Sequence, residues 1–134
     1  LYTSVIPNLL VEGVADAIQE SKALKIYVCN IMTQDGETEG MTAADHVAAL
    51  LEHGGAGLID MCLCNNASVS AGLLERYSAA EPMQVSRRDI ELLGVEVVSR
   101  PLTDESSHFA RHSGIKVAEA VLELHRQRAS TKIF

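Results

Sequence analysis

The sequence predicts an α/β fold in which a mostly parallel sheet lies between helical layers. Short apolar runs of strand length alternate along the chain with stretches whose apolar residues recur every three or four positions. The strand-like runs are almost continuously apolar, as strands covered on both faces are, and helical segments separate them, as parallel crossovers require. The 134 residues, 47% hydrophobic and 22% charged, read as a single domain, 1–134, able to bury a sizeable core.

Each element has its own signal. From Ser4 onward Ile6, Leu9, Leu10, Gly13, Val14, Ala17 and Ile18 keep helical spacing, predicting one amphipathic helix. Pro7 falls in its first turn, where a missing N–H costs little. Residues 24–29 follow as a strand. Thr42-Ala43-Ala44-Asp45 is a capping box, opening a helix with Val47, Leu50 and Leu51 inward, and Gly54-Gly55 ends it. Residues 57–64 form a second buried strand closing on Asn65-Asn66, and Val69, Leu73, Leu74 and Tyr77 predict a third helix. Residues 83–85 read as a short strand, Ser86 as the cap of a short helix through Leu93, and residues 95–99 as a fourth, β-branched strand. In the last helix Ile115, Ala118, Val121, Leu122 and His125 are expected inward, with Lys116, Glu119, Glu123 and Arg126 outward.

Composition excludes some roles. A formal charge of -7 and a pI near 5.1 leave no basic stripe for nucleic acid. No run approaches the roughly 18 apolar residues that span a membrane, and no signal peptide pattern is present, so a cytoplasmic protein is expected. The odd total of three cysteines, all in apolar runs, fits reduced thiols rather than a disulfide framework. Cys62 and Cys64 project to one strand face but read as packing residues without a partner. His46 and His53, seven apart, lack a metalloprotease pattern and read as ordinary helix histidines. The first residue is Leu1 and the chain runs almost at once into a helix, so an upstream portion of the same protein is expected.

Residues 27–38 carry the chemistry. An apolar strand stops in a knot of amide, hydroxyl and carboxylate groups, and ligands of open α/β sheets settle beyond such carboxyl ends. Asn30, Thr33 and Gln34 suit a base edge, a ribose or sugar hydroxyls, although Asn and Thr also satisfy local turns. Glu37 can orient a sugar hydroxyl or hold a metal, or belong with Asp35 and Glu39 to a solvated acidic loop. Thr3 and Ser4, at the amino end of the first helix, are a second phosphate-type candidate, with Ser4 as a plain cap the competing reading.

The segments Leu1-Tyr2-Thr3-Ser4-Val5-Ile6-Pro7-Asn8-Leu9-Leu10, Tyr27-Val28-Cys29-Asn30-Ile31-Met32-Thr33-Gln34 and Gly36-Glu37-Thr38 resemble the gluconeogenesis factor family. This is the YvcK-like branch of the proteins related to 2-phospho-L-lactate transferase (CofD). Asp45-His46-Val47, the Asn65 strand end, Tyr77 and Arg111-His112 continue the match in order. The resemblance implies a Rossmann-like three-layer αβα fold, of which this chain would be the C-terminal portion. The family's early glycine-rich loop and its Gly-Pro-Gly-Ser turn are not in this sequence.

It further implies a nucleotide-sugar ligand, UDP-glucose or UDP-N-acetylglucosamine, a regulatory role in gluconeogenic carbon use and cell-shape or cell-wall maintenance, and a homodimer. The alternative it carries is a transferase joining a phospholactyl group from a nucleotide-linked donor, with magnesium; no cofactor is otherwise implied. Tyr77 resembles the family's nucleotide-contacting tyrosine, although by spacing alone it is a core residue four after Leu73. Arg111 and His112 match its ligand-binding pair, and an arginine fork can grip a diphosphate through two parallel hydrogen bonds. Ser113 stands where relatives often carry aspartate, a change that keeps helix capping and removes a carboxylate.

Overall fold

A computed structural model describes residues 1–104 and 106–131. The order is α1 (Ile6–Leu9), α2 (Val14–Glu20), β1 (Ile26–Val28), α3 (Ala43–Gly54), β2 (Met61–Asn65), α4 (Ala71–Leu74), α5 (Arg87–Leu92), β3 (Glu96–Arg100) and α6 (Gly114–Thr131). Among the described residues the three strands form one parallel sheet in the order β1-β2-β3, with Tyr27 opposite Cys62 and Leu63 opposite Val98.

The strand alternation divides the core into two layers. Tyr27, Cys29, Cys62, Cys64 and Val97 face one side, where Ile6, Val47, Leu50 and Ile90 from α1, α3 and α5 cover them. Met61, Leu63 and Val98 face the other side and meet Ala120 and Leu124 of α6. This is the expected three-layer α/β arrangement. Among the described residues no helix is long and apolar enough to cross a membrane.

Four local expectations change. The single first helix is two, because Gly13 sits at φ +80°, a left-handed conformation that breaks the helical run and turns the chain into α2. The third helix shrinks to one turn, α4, so Tyr77 lies beyond it. Residues 83–85 form no strand; the segment makes an isolated antiparallel bridge between Met32 and Pro82, and the Met83 N–H donates to the Ile31 carbonyl at 2.8 Å. Proline cannot complete a ladder there. In α6 the inner stripe is Val117, Ala120, Val121 and Leu124, whereas Ile115 and Leu122 are 73% and 53% exposed. Lys116, expected outward, donates from Nζ to the Thr103 carbonyl at 2.9 Å, a tie to the segment after β3 that accompanies the rotated face.

The caps follow the sequence. Thr42 Oγ1 accepts from the Asp45 N–H while Asp45 Oδ2 accepts from the Thr42 N–H at 2.7 Å, a reciprocal capping box. The Thr42 N–H and the Thr42 hydroxyl, which also donates to Asp45 Oδ2 at 2.7 Å, hold the Asp45 carboxyl below the usual carboxylate range. Thr42→Ala is expected to destabilise the fold by about 1 kcal/mol, measured as a shift in urea midpoint with unchanged slope. At the other end Gly55, at φ +81°, returns its N–H to the Leu51 carbonyl at 2.8 Å, and at the start of α5 Ser86 caps the Asp89 N–H.

Candidate functional site

The carboxyl end of β1 opens into a cleft of about 560 Å³ lined by Ser4, residues 30–34, Tyr77 and residues 109–112. Three separate loops meet there. The β1 tip supplies Asn30 to Gln34; the segment after α4 supplies Tyr77; the stretch before α6 supplies Phe109, Ala110, Arg111 and His112. A volume in this range accommodates an ordinary small ligand.

Each wall is held by hydrogen bonds, some within one loop and others between loops far apart in sequence. Asn30 Nδ2 donates to Gln34 Oε1 at 3.1 Å, pairing two amides across the loop. The Gln34 N–H donates to Thr38 Oγ1 at 2.9 Å, and Thr38 is fully buried beneath it. Thr33 is buried, accepts from the Glu81 N–H at 2.8 Å through Oγ1, and gives its own N–H to the Glu81 carbonyl at 2.8 Å. Its hydroxyl therefore joins the β1 loop to the 77–82 segment, and Asn30 and Gln34 carry the more available polar groups of that wall.

Tyr77 Oη accepts from the Ala110 N–H at 2.9 Å, and its ring meets Phe109 edge-on at 6.3 Å. The Arg111 guanidinium lies 5.6 Å over the Phe109 ring, and the side chain is exposed at the rim. His112 Nε2 lies 3.1 Å from the Cys29 carbonyl, so Nε2 carries the proton and Nδ1 is left as an acceptor. Burial lowers the His112 pKa, against the opposing pull of the Cys29 carbonyl, and the ring is neutral at pH 7. An antiparallel bridge between Thr103 and His112 and the bond from Asp104 N–H to the Arg111 carbonyl at 2.9 Å fix this strap against the end of β3. Ser113 caps the start of α6 through its hydroxyl at the Lys116 N–H, 3.4 Å.

Seven of the nine residues expected from sequence, Asn30, Thr33, Gln34, Tyr77, Arg111, His112 and Ser4, line one cleft. Glu37 and Thr3 do not. Glu37 Oε1 accepts from the Leu1 backbone nitrogen at 2.9 Å and the Thr3 N–H at 3.0 Å, so Glu37 and Thr3 clasp the α1 entrance to the loop after β1. Asn65, at the end of β2, turns back on its own chain and accepts the Leu102 N–H at 2.9 Å. Phe109, 47% exposed in the structure, is not among the sequence candidates; its only signal there is a large apolar residue in a polar run two positions before an arginine.

A second cleft, about 720 Å³, runs along edge strand β3 between Arg87, Arg100 and Arg128. It follows the length of the strand rather than its carboxyl end. None of the sequence candidates reaches it.

Histidine burial sets a pH response. His46, fully buried, pairs its Nδ1 with Tyr27 Oη at 2.9 Å, and burial lowers its pKa as it does for His112. The unfolded chain binds these protons more readily, near pH 6.5, so the stabilisation is complete above about pH 6.5 and is lost as pH falls below it. Melting midpoints are expected to drop between pH 7.5 and 5.5. His112→Gln, an amide able to keep the Cys29 bond without titrating, should narrow that drop; an unchanged drop would remove His112 from the account.

The comparisons agree with this architecture. The family model for 2-phospho-L-lactate transferase CofD matches residues 1–103. A gluconeogenesis factor from Halalkalibacterium halodurans is 43% identical over 99% of the chain, and one from Bacillus subtilis is 36% identical over 95%. A crystal structure of a UPF0052 family protein from Bacillus halodurans superimposes with a TM-score of 0.86 and 43% identity over 90% of this chain and 40% of its own. The chain spans 42% and 41% of the length of those two gluconeogenesis factors. Similar throughout to gluconeogenesis factors and matched by the family model over most of its length, this chain belongs to the CofD family.

Proposed function

We propose that this cleft is one wall of a nucleotide-sugar site, taking UDP-glucose or UDP-N-acetylglucosamine, in a protein that regulates gluconeogenic carbon use and cell-shape or cell-wall maintenance. The observation that carries it is the convergence of Asn30, Gln34, Tyr77, Arg111 and His112 around one opening at a strand carboxyl end. The chemistry matches the ligand part by part. The Asn30 and Gln34 amides suit a uracil edge or sugar hydroxyls. The Tyr77 and Phe109 rings offer an apolar platform, and Arg111 offers a fork for the diphosphate beside the start of α6, whose free amides favour negative charge. The ligand's remaining contacts come from the rest of the protein, including an upstream portion and, in a homodimer, the assembly it forms.

The second reading, a phospholactyl-type transferase with a nucleotide-linked donor, is favoured by the family model's own description. None of the described residues lining the cleft carries a carboxylate. This wall therefore does not fit a protein-held magnesium ion, and no step is assigned through one. Titration calorimetry of the whole protein with UDP-N-acetylglucosamine tests the first reading: saturable binding without nucleotide release supports it. Absence of binding overturns it, and release of free nucleotide on incubation with a small acceptor moves the assignment to the transferase.

A further inference from the structure

Cys29, Cys62 and Cys64 meet beneath the loop that walls the cleft. Their sulfurs lie within 4.8 Å of one another, those of Cys62 and Cys64 are 3.5 Å apart, and all three residues are buried, at 1%, 0% and 1% exposure. The fold causes this meeting. Cys62 and Cys64 are two apart on β2 and share a face, and the pairing of Val28 with Leu63 sets Cys29 beside Cys64 on that same face. Cysteine often packs as a small hydrophobe, but packing alone does not require three sulfurs to face each other.

We propose that these sulfurs form a binding site for a single thiophilic ion held by three thiolates. Bonds to sulfur of about 2.3 Å set three sulfurs about 3.5 Å apart around a pyramidal centre and about 4 Å apart around a planar one, close to the spacing present before any ion binds. Thiolates select soft ions over hard ones. Charge then selects among the soft ions, because the surrounding layer is apolar. A monovalent ion would leave two negative charges buried, a divalent ion one, and a trivalent ion none; uncompensated charge is strongly disfavoured there. The best match is a trivalent thiophile such as arsenic(III). With arsenous acid, three S–H and three As–O bonds break, three As–S bonds form, and three waters leave; no electron is transferred.

The Cys29 carbonyl is also the partner of His112, so an ion here would sit directly under the cleft without using its polar groups.

The test is arsenous acid added to the reduced whole protein. Native mass spectrometry should show one arsenic gained with three hydrogens lost, and X-ray absorption should count three sulfur neighbours. Cys29→Ala, Cys62→Ala and Cys64→Ala should each weaken binding at least tenfold, and zinc should bind at least tenfold more weakly than arsenic(III). No adduct, fewer than three sulfurs, or a single variant that binds as the wild type does overturns the proposal; so does zinc binding as tightly as arsenic(III). If a variant fails to fold by circular dichroism, the sulfur count on the wild-type protein decides. None of these readouts depends on the sugar nucleotide.

Discussion

Replacing Arg111 with alanine is expected to weaken UDP-sugar binding by about 10- to 100-fold while leaving the melting midpoint nearly unchanged. A charge-assisted hydrogen bond contributes roughly 1.5–3 kcal/mol, and about 1.4 kcal/mol is a tenfold change in affinity. The stability side follows from the position of the side chain. It is exposed at the rim, and among the described residues it makes no ion pair; its ring contact is with Phe109, itself 47% exposed. The backbone bond from Asp104 survives the substitution. Arg111→Lys separates charge from fork geometry: it should recover part of the loss, because an ammonium attracts a diphosphate but cannot grip two oxygens in one plane. Calorimetry showing equal affinity for Arg111→Ala and the wild type would take Arg111 out of the site.

The site was legible where chemistry and topology coincided. A run of apolar residues ending in Asn30 and Gln34 could be placed at a strand's carboxyl end from pattern alone, and the structure puts both amides at the cleft. Arg111 and Tyr77 needed the family resemblance, because their spacing is equally that of a helix lead-in and a core residue. What brings them together is the Tyr77 hydroxyl bonded to the Ala110 N–H, a contact across 33 residues that periodicity cannot encode. The same limit hid Glu37's partner. A carboxylate in an acidic loop reads as solvated or ligand-binding until the fold brings the backbone of residues 1–3 to within hydrogen-bonding distance. Cys29 is the third case: two cysteines on β2 look unpartnered in sequence, and only parallel pairing with β1 supplies the third sulfur.

The fold was legible to the extent that local rules act within a few residues. The Thr42 capping box, the Gly55 stop and the Ser86 cap are each set by neighbouring groups, and each forms as the sequence indicates. Gly13 was a local signal too, read as part of an apolar stripe when its left-handed backbone makes it a break. Residues 83–85 and the inner face of α6 depend instead on what the rest of the chain presents to them.

For α6 that dependence gives the largest expected effect on stability. The helix carries two overlapping apolar stripes, one through Ile115, Ala118 and Leu122, the other through Val117, Ala120, Val121 and Leu124. Sequence periodicity cannot choose between them, since Val121 can serve either. The sheet presents Met61, Leu63 and Val98, and the helix turns its second stripe onto them, leaving Leu124 at 4% exposure and Leu122 at 53%. Leu124→Ala removes buried methyl groups from the layer it shares with Met61, Leu63, Val98 and Leu102, so it should cost about 2–5 kcal/mol. Leu122→Ala, at an exposed position where alanine is also the better helix former, should stay within about 0.5 kcal/mol of wild type. Urea denaturation of the whole protein, monitored by far-ultraviolet circular dichroism, distinguishes the two. Had α6 packed through the first stripe, the order would invert, with Leu122→Ala the costly change and Leu124→Ala the silent one.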